Sequence, residues 1–304
     1  MKWYRLIFSQ AQPIHIGSFI WGVVNETAAF IPGWTMWGAL TNTYLRFNKF
    51  KDIEKSKEFF TKITNFYPAK ACSKNEDKNQ ILSSLKCLFP KYEKGEFGFV
   101  EVPISEFDED NNNFVSLDEF RFEFVDVIVS TAVEPVNRKA KDESLHEFEF
   151  ILPKSKIDNC SLYWIGLIGF EDKEEYNEDL LKRYFSTLFV GGDIKYGYGK
   201  LELFDVQEIK KEEDLNSWNI KQDGRANIAL ESPLKQYVKF SGQECFEGEI
   251  KLIAEFDFSK NISEVSRASY YINIGSKIVS NMQSKNGDYN YLGNYFLYKG
   301  MLKP

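Results

Sequence analysis

Val190-Gly191-Gly192-Asp193-Ile194-Lys195-Tyr196-Gly197-Tyr198-Gly199-Lys200-Leu201 is the stretch on which the reading of this chain turns. Ahead of it, Leu180, Leu181, Tyr184, Leu188 and Phe189 recur near helical spacing; behind it, Leu201-Glu202-Leu203-Phe204 alternates as a strand does. Gly191, Gly192, Gly197 and Gly199 allow positive φ and close approach to a ligand, and Lys195 and Lys200 supply positive charge. Tyr196 and Tyr198 add faces on which bases stack, although their alternation about Gly197 leaves only one of them facing a ligand. The combination suits a phosphate backbone better than a small apolar ligand. It is not a nucleotide-binding P-loop, because it lacks the Gly-Lys-Ser/Thr ending and joins a helix to a strand, the reverse of P-loop order. It is not a dinucleotide fingerprint either, since that follows a strand and opens a helix. The competing reading is a glycine-rich connection with two solvated lysines.

Outward from the loop, β-rich segments precede the helix expected at about residues 176–190. They cover residues 120–131, 145–152 and 160–170. A polar insertion, Ala132-Val133-Glu134-Pro135-Val136-Asn137-Arg138-Lys139-Ala140-Lys141-Asp142-Glu143-Ser144, joins the first two of these segments. Farther back, residues 2–10 alternate as a strand, a helix is expected to start close to Gly33, and a second helix is expected over about residues 53–66, stopped by Pro68. Residues 69–95 are mixed, and 104–117 read as a solvated acidic loop. Simplified, the order is β-α-β-β-α-β, which is the ferredoxin-like arrangement of an α+β fold. The polar stretch 210–216 marks a boundary. Beyond it, short strands at about 248–256 and 270–279 suggest a smaller β-rich domain or an elaboration of the first.

At 304 residues the chain suits two domains, and its 43% hydrophobic content is ample for a core. No apolar run approaches the ~20 residues of a membrane span, and the N-terminus lacks the features of a signal peptide, so a cytoplasmic protein is expected. Cys72, Cys87, Cys160 and Cys245 are scattered and only two histidines are present, a pattern that argues against structural zinc and for free thiols. The net charge of −7 weighs against nucleic-acid binding, yet acidic residues concentrate at 106–118, 171–179 and 208–214 and leave other faces available. Composition therefore neither supports nor excludes an RNA partner.

Three segments, taken in order, resemble one family. Gly191-Gly192-x-x-x-x-Gly197-x-Gly199 before a final strand resembles the signature loop of CRISPR-associated RAMP proteins. Pro13-Ile14-His15-Ile16-Gly17, followed by Phe30-Ile31-Pro32-Gly33-Trp34-Thr35-Met36-Trp37-Gly38-Ala39-Leu40, is similar to that family's first strand, loop and first helix. Val133-x-Pro135-x-Asn137-Arg138-Lys139-Ala140 resembles its β-hairpin thumb. These matches cover about the first two-thirds of the chain. Trp34 and Trp37 replace the usual Ser and Arg of the first-helix motif, and the loop carries only Lys195 and Lys200, with Asp193 between its glycines.

The resemblance implies an RNA-recognition-like RAMP domain over residues 1–209, with a thumb at about 131–147 and the glycine loop at 191–199. Residues 210–304 would be a degenerate second RAMP domain or an elaboration. It implies a guide-RNA (crRNA)-binding subunit of a multi-subunit effector, most like the single-copy subunit that caps the five-prime handle in type III and related complexes. Its partners would be backbone RAMP subunits of the same complex, with a large or nuclease subunit as a further candidate and no membrane. Neither a metal nor a cofactor is expected. The implied RNA contacts are His15, Gly17, Ser18, Gly33, Thr35, Arg138, Lys139, Lys141, Gly191, Gly192, Lys195, Tyr196, Gly197, Tyr198, Gly199 and Lys200. The rival readings are a repeated backbone subunit lining the guide and a metal-independent, repeat-processing endoribonuclease using His15. A general acid–base needs a partner group, and Ser18 three residues on proves no dyad, so His15 is read as structural or RNA-contacting and no catalytic residue is assigned. Asp126, Asp142 and Asp193 are candidate metal-ligand or nuclease carboxylates, Asp142 near the thumb base where the family's backbone subunits keep their cutting Asp. Metal-dependent cleavage needs two or more converging carboxylates, and none of the three is assigned. Trp34, Trp37 and Tyr44 are read as core.

Overall fold

In the computed structural model, strand β1 (Lys2–Gln10) is buried on both faces, and its alternation feeds two separate cores. Trp3 and Ile7 enter one; Tyr4, Leu6 and Phe8 enter the other. The structure describes residues 1–51, 53–72, 77–104, 113–171, 177–257, 264–281 and 292–304. After β1 come β2 (Gly17–Trp21), β3 (Val24–Thr27), α1 (Gly33–Phe47), α2 (Ile53–Phe59) and β4 (Tyr67–Ala71). Then follow α3 (Lys78–Ser84), β5 (Lys86–Glu93), β6 (Glu96–Pro103), β7 (Phe114–Ser116), α4 (Leu117–Phe124), β8 (Val125–Ser130), β9 (His146–Ile151) and β10 (Ser161–Phe170). Beyond these lie α5 (Glu178–Phe185), β11 (Thr187–Phe189), β12 (Lys200–Ile209), α6 (Glu212–Asn216), β13 (Tyr237–Lys239), β14 (Glu244–Glu247) and β15 (Ile250–Asp257). The chain closes with β16 (Glu264–Ile272), β17 (Lys277–Asn281), β18 (Phe296–Tyr298) and β19 (Met301–Lys303).

The fold is α+β. An eight-stranded antiparallel sheet runs β11-β12-β1-β10-β4-β5-β6-β7, so the strands flanking the two main helical connections sit in the order β12-β1-β10-β4. Helices α1, α4 and α5 cover one face, packing Met36, Leu40, Phe120, Phe124, Leu181 and Phe185 onto Leu6, Phe8, Trp164 and Ile168. The other face is covered by the C-terminal segment, whose Trp218, Ile220, Tyr237, Ile272 and Leu302 share a core with Trp3, Ile7, Tyr67 and Ile165. Those C-terminal strands form a five-stranded sheet, β15-β16-β13-β19-β18, and a two-stranded one, β14-β17. A small fourth sheet, β2-β3-β9-β8, stands beside the main one and joins β3 to β9 in parallel.

Several sequence expectations are corrected. Residues 120–124 are helical: Phe120-Arg121-Phe122-Glu123-Phe124 alternates like a strand, but Ser116 and Glu119 form a reciprocal capping box that starts α4 there. Phe120 and Phe124, four apart, then share the buried face, while Phe122 is 73% exposed. The second helix ends at Phe59 rather than near residue 66, because Ile63 and Phe66 are drawn into bridges with Ile168 and Ile31. Cys72 and Cys160 form a disulfide rather than remaining thiols, since they lie just past the Ala71–Ser161 pair of adjacent antiparallel strands, 4.4 Å apart at Cα. Part of the expected acidic loop, residues 105–112, lies outside the described residues, as does the start of the helix expected at residue 176. The loop's end is instead β7 and the start of α4, and the helix stops at Phe185, with Leu188 and Phe189 pairing with β12 as part of β11.

Asn65 ties the two faces together. Fully buried, it accepts from the Gly33 N–H (2.9 Å) and donates its side-chain amide to the Lys235 and Gly300 carbonyls (3.0 and 3.2 Å). Asn65→Ala is expected to strand the Gly33 N–H and lower unfolding free energy by about 2–3 kcal/mol, read from the urea midpoint. A loss below about 1 kcal/mol would mean that this junction is not a structural tie.

Candidate functional site

The glycine loop is pinned along its base and open at its tip. Val190 N–H donates to Gly199 O (2.9 Å), Gly199 N–H to Pro13 O (2.8 Å) and Gly192 N–H to His15 O (3.0 Å). Gly191 has φ +76°, and a Cβ there would stand 2.0 Å from the His15 carbonyl oxygen, so only glycine brings the loop onto residues 13–16. Between the pins, Asp193 adopts φ 53° and residues 194–196 make a single 3₁₀ turn. This presents Lys195 and Tyr196 to solvent, Tyr196 being 80% exposed.

Below the loop the rings are packed. His15 is buried, its Nδ1–H donating to the Glu149 carbonyl (2.7 Å) and its ring lying 4.2 Å from Phe148. Tyr198 packs edge-on against Phe148 and Phe150, with centroids 5.3 and 5.6 Å away. Of the two loop tyrosines, Tyr196 is therefore the one available to a ligand. Glu149, through its carboxylate, holds Arg121 and the Thr27 N–H, and Arg121 also pairs with Glu26 (3.1 Å), which fixes the small sheet against α4.

A cleft of about 320 Å³ opens beside the loop. Gly17 and Ser18, Thr35 in the first turn of α1, and Gly191 with Gly192 all line it. Stretches as far apart in sequence as Gly17 and Gly191 thus meet at one place. The opposite wall is β15, through residues 251–254, and Phe30, Trp34 and Tyr237 add aromatic surface. Lys251 brings a partly buried ammonium, 5.6 Å from the centre of the Phe19 ring; burial lowers its pKa from the ordinary lysine value, and Glu249 and Glu26 oppose that shift. A cleft that combines the Ser18 and Thr35 hydroxyls, the partly buried Trp34 ring and one cation has the dimensions and chemistry to seat a splayed-out base and its phosphate.

Other expected residues lie elsewhere. Gly33 is buried against Gly300 with its N–H on Asn65, and the Thr35 N–H donates to Pro32 O (2.9 Å), so these amides are not offered to an anion. Thr35 remains as a side-chain lining. Lys200 pairs with Glu202 (2.6 Å) instead of standing free. Gly197 faces open space, and Gly199 closes the loop's base. Arg138, Lys139 and Lys141 are exposed on the hairpin that extends β8 and β9, outside the cleft lining. The sequence reading missed Lys251 and the β15 wall: a short strand was expected at about 248–256, but nothing local showed that it crosses to the first helix. Among the described residues, the one group of three metal-capable side chains is Cys72, Asp158 and Cys160, two of which are joined in the disulfide. No described helix is long and apolar enough to cross a membrane.

The family model described as the RAMP superfamily matches residues 12–202, more than half of the chain and all three motif segments. No curated protein matches the sequence. Among solved structures, a chain of the type III-B Cmr-beta complex bound to cognate target RNA is similar at 12% identity and TM-score 0.51, covering 90% of this chain and 86% of that one. The same complex bound to cognate target RNA and AMPPnP gives 13% identity and TM-score 0.50 over 90% and 85%. A chain of the Csm3-Csm4 subcomplex of a type III-A CRISPR-Cas interference complex gives 13% identity and TM-score 0.46 over 92% and 93%.

Proposed function

We propose, from the premise that the chain belongs to the RAMP superfamily, that it is a non-catalytic guide-RNA-binding subunit of a type III CRISPR effector complex. In this reading it caps the five-prime handle of the guide and docks on a backbone subunit. The observation that carries the proposal is the convergence of Gly17–Ser18, Thr35 and Gly191–Gly192 on one cleft, opposite Lys251. The cleft takes a splayed nucleotide, Lys195 and Lys251 meet its phosphates, and Tyr196 stacks on a neighbouring base. Arg138, Lys139 and Lys141 on the thumb contact the strand farther along.

Several features support the rest of the reading. The strand order β12-β1-β10-β4 with two helices on one face fits a ferredoxin-like core, and the paired β8 and β9 fit the base of a thumb. Residues 210–304 fit an elaboration better than a separate domain, because their apolar side chains complete a core begun by Trp3 and Ile7. His15, with Nδ1 bonded to a carbonyl and its ring on Phe148, fits a structural role rather than catalysis. The small sheet leaves Ile20 75%, Trp21 67% and Val129 59% exposed, apolar surface of the kind a neighbouring subunit covers.

The test combines binding and denaturing gels on one sample of the chain with labelled repeat-derived RNA carrying the five-prime handle. Intact RNA, bound in preference to a scrambled handle, is the expected result. Cleavage of the RNA, lost in His15→Ala, would replace this reading with a processing nuclease.

A further inference from the structure

A second groove lies at the far end of α1, on the helical face and away from the cleft. Helix α1 has 15 residues, so its two ends are about 22 Å apart. Where α1 stops, the chain turns with Lys49 at φ 54° and Phe50 at φ 57°, and their N–H groups cap the helix through Arg46 O and Leu45 O. Two successive residues with side chains thus hold a conformation that glycine adopts without strain. The first of them, Lys49, lines a groove of about 610 Å³.

The groove is aromatic on its floor and basic on its rim. Tyr44 stacks on Phe59 (5.6 Å between centroids) and leans on Tyr184 (5.2 Å), and Phe47 meets Tyr184 edge-on (5.4 Å). Phe47 is 58% exposed, a large ring presented to solvent at the groove's mouth. Lys49, Lys51 and Lys55 are the charged residues of the lining, and none of the three pairs with a described carboxylate. In a chain of net charge −7, three lysines around one aromatic depression make a local exception to the overall balance.

We propose that this groove binds a nucleoside phosphate, with the base against Phe47 and Tyr184 and the phosphate among Lys49, Lys51 and Lys55. Rings supply a stacking surface indifferent to base identity, lysines supply point charges for phosphate, and the volume matches a single nucleotide. The nucleotide is either free in solution or the phosphorylated end of a single RNA strand; both present the same chemistry. This site is separate from the cleft and does not depend on the role proposed for it.

Isothermal titration of the whole chain with AMP, with a 5′-phosphorylated RNA hexamer and with inorganic phosphate tests the assignment. AMP or the hexamer is expected to bind at least about tenfold more tightly than inorganic phosphate. The triple variant Lys49→Ala/Lys51→Ala/Lys55→Ala, whose changes are all exposed, is expected to weaken the same ligand about tenfold with an unchanged circular dichroism spectrum. Phe47→Leu keeps the charges and is expected to erase the preference over phosphate. Equal binding of AMP and hexamer assigns the site to free nucleotide, and binding of the hexamer alone assigns it to a strand end. No binding at about 1 mM, equal affinity for phosphate, or an unaffected triple variant overturns the proposal.

Discussion

Gly191→Ala is expected to cost about 3 kcal/mol or more of stability and at least tenfold in affinity for handle RNA. Two effects combine at this position. The left-handed φ of +76° strains any residue with a Cβ, by about 1–2 kcal/mol. The added atom would also stand 2.0 Å from the His15 carbonyl, a backbone atom that moves only if the loop lifts away. Lifting the loop breaks the Gly192 to His15 hydrogen bond and widens the cleft at its lip. Gly197→Ala is the internal control: φ is +91°, but no atom lies within 4 Å of the position its methyl would take, so only the conformational part remains, about 1–2 kcal/mol. Urea unfolding of both variants separates the two effects. Equal losses would show that the loop does not rest on residues 13–16.

Reversing charge at Lys251 in the cleft and at Lys195 on the loop beside it is expected to have the larger functional effect. Lys195→Glu with Lys251→Glu should weaken handle RNA about a hundredfold near 0.1 M salt. Lys251 lines the cleft from β15, and Lys195 stands on the exposed turn of the loop whose Gly191 and Gly192 line it, so the pair tests the cleft together with the loop beside it. Each phosphate contact on a single strand contributes about 0.7 to the slope of log affinity against log salt. The neutral pair Lys195→Ala/Lys251→Ala should therefore flatten that slope by about 1.4. A loss smaller than about threefold in the reversed pair would remove the cleft as the RNA site.

The sequence exposed the parts of the fold that rest on local patterns. Strand β1 was legible because its apolar residues recur from Trp3 to Phe8, and the start of α1 because Pro32-Gly33 precedes residues at helical spacing. Helix α4 was missed although its signal was present: Ser116 and Glu119 sit three apart, but the alternating phenylalanines behind them read more loudly as a strand. The Cys72–Cys160 disulfide had no local signal, since 88 residues separate a pair that only the register of β4 and β10 brings together. The candidate site divides the same way. Its glycines, Ser18 and Thr35 could be named from motifs, whereas Lys251 could not, because it reaches the cleft only through the packing of the C-terminal sheet across the main one. Gly33 shows the opposite error, a motif glycine whose closeness serves Gly300 and Asn65 inside the protein.

The central claim is that RNA enters the cleft between the glycine loop and β15. Photocrosslinking a handle RNA carrying 4-thiouridine to the chain within its assembled complex, followed by peptide mapping, tests it most directly. Crosslinks within residues 17–18, 191–200 and 251–254 are the predicted result. Crosslinks confined to other surfaces of the chain, or none to it at all, would contradict the account.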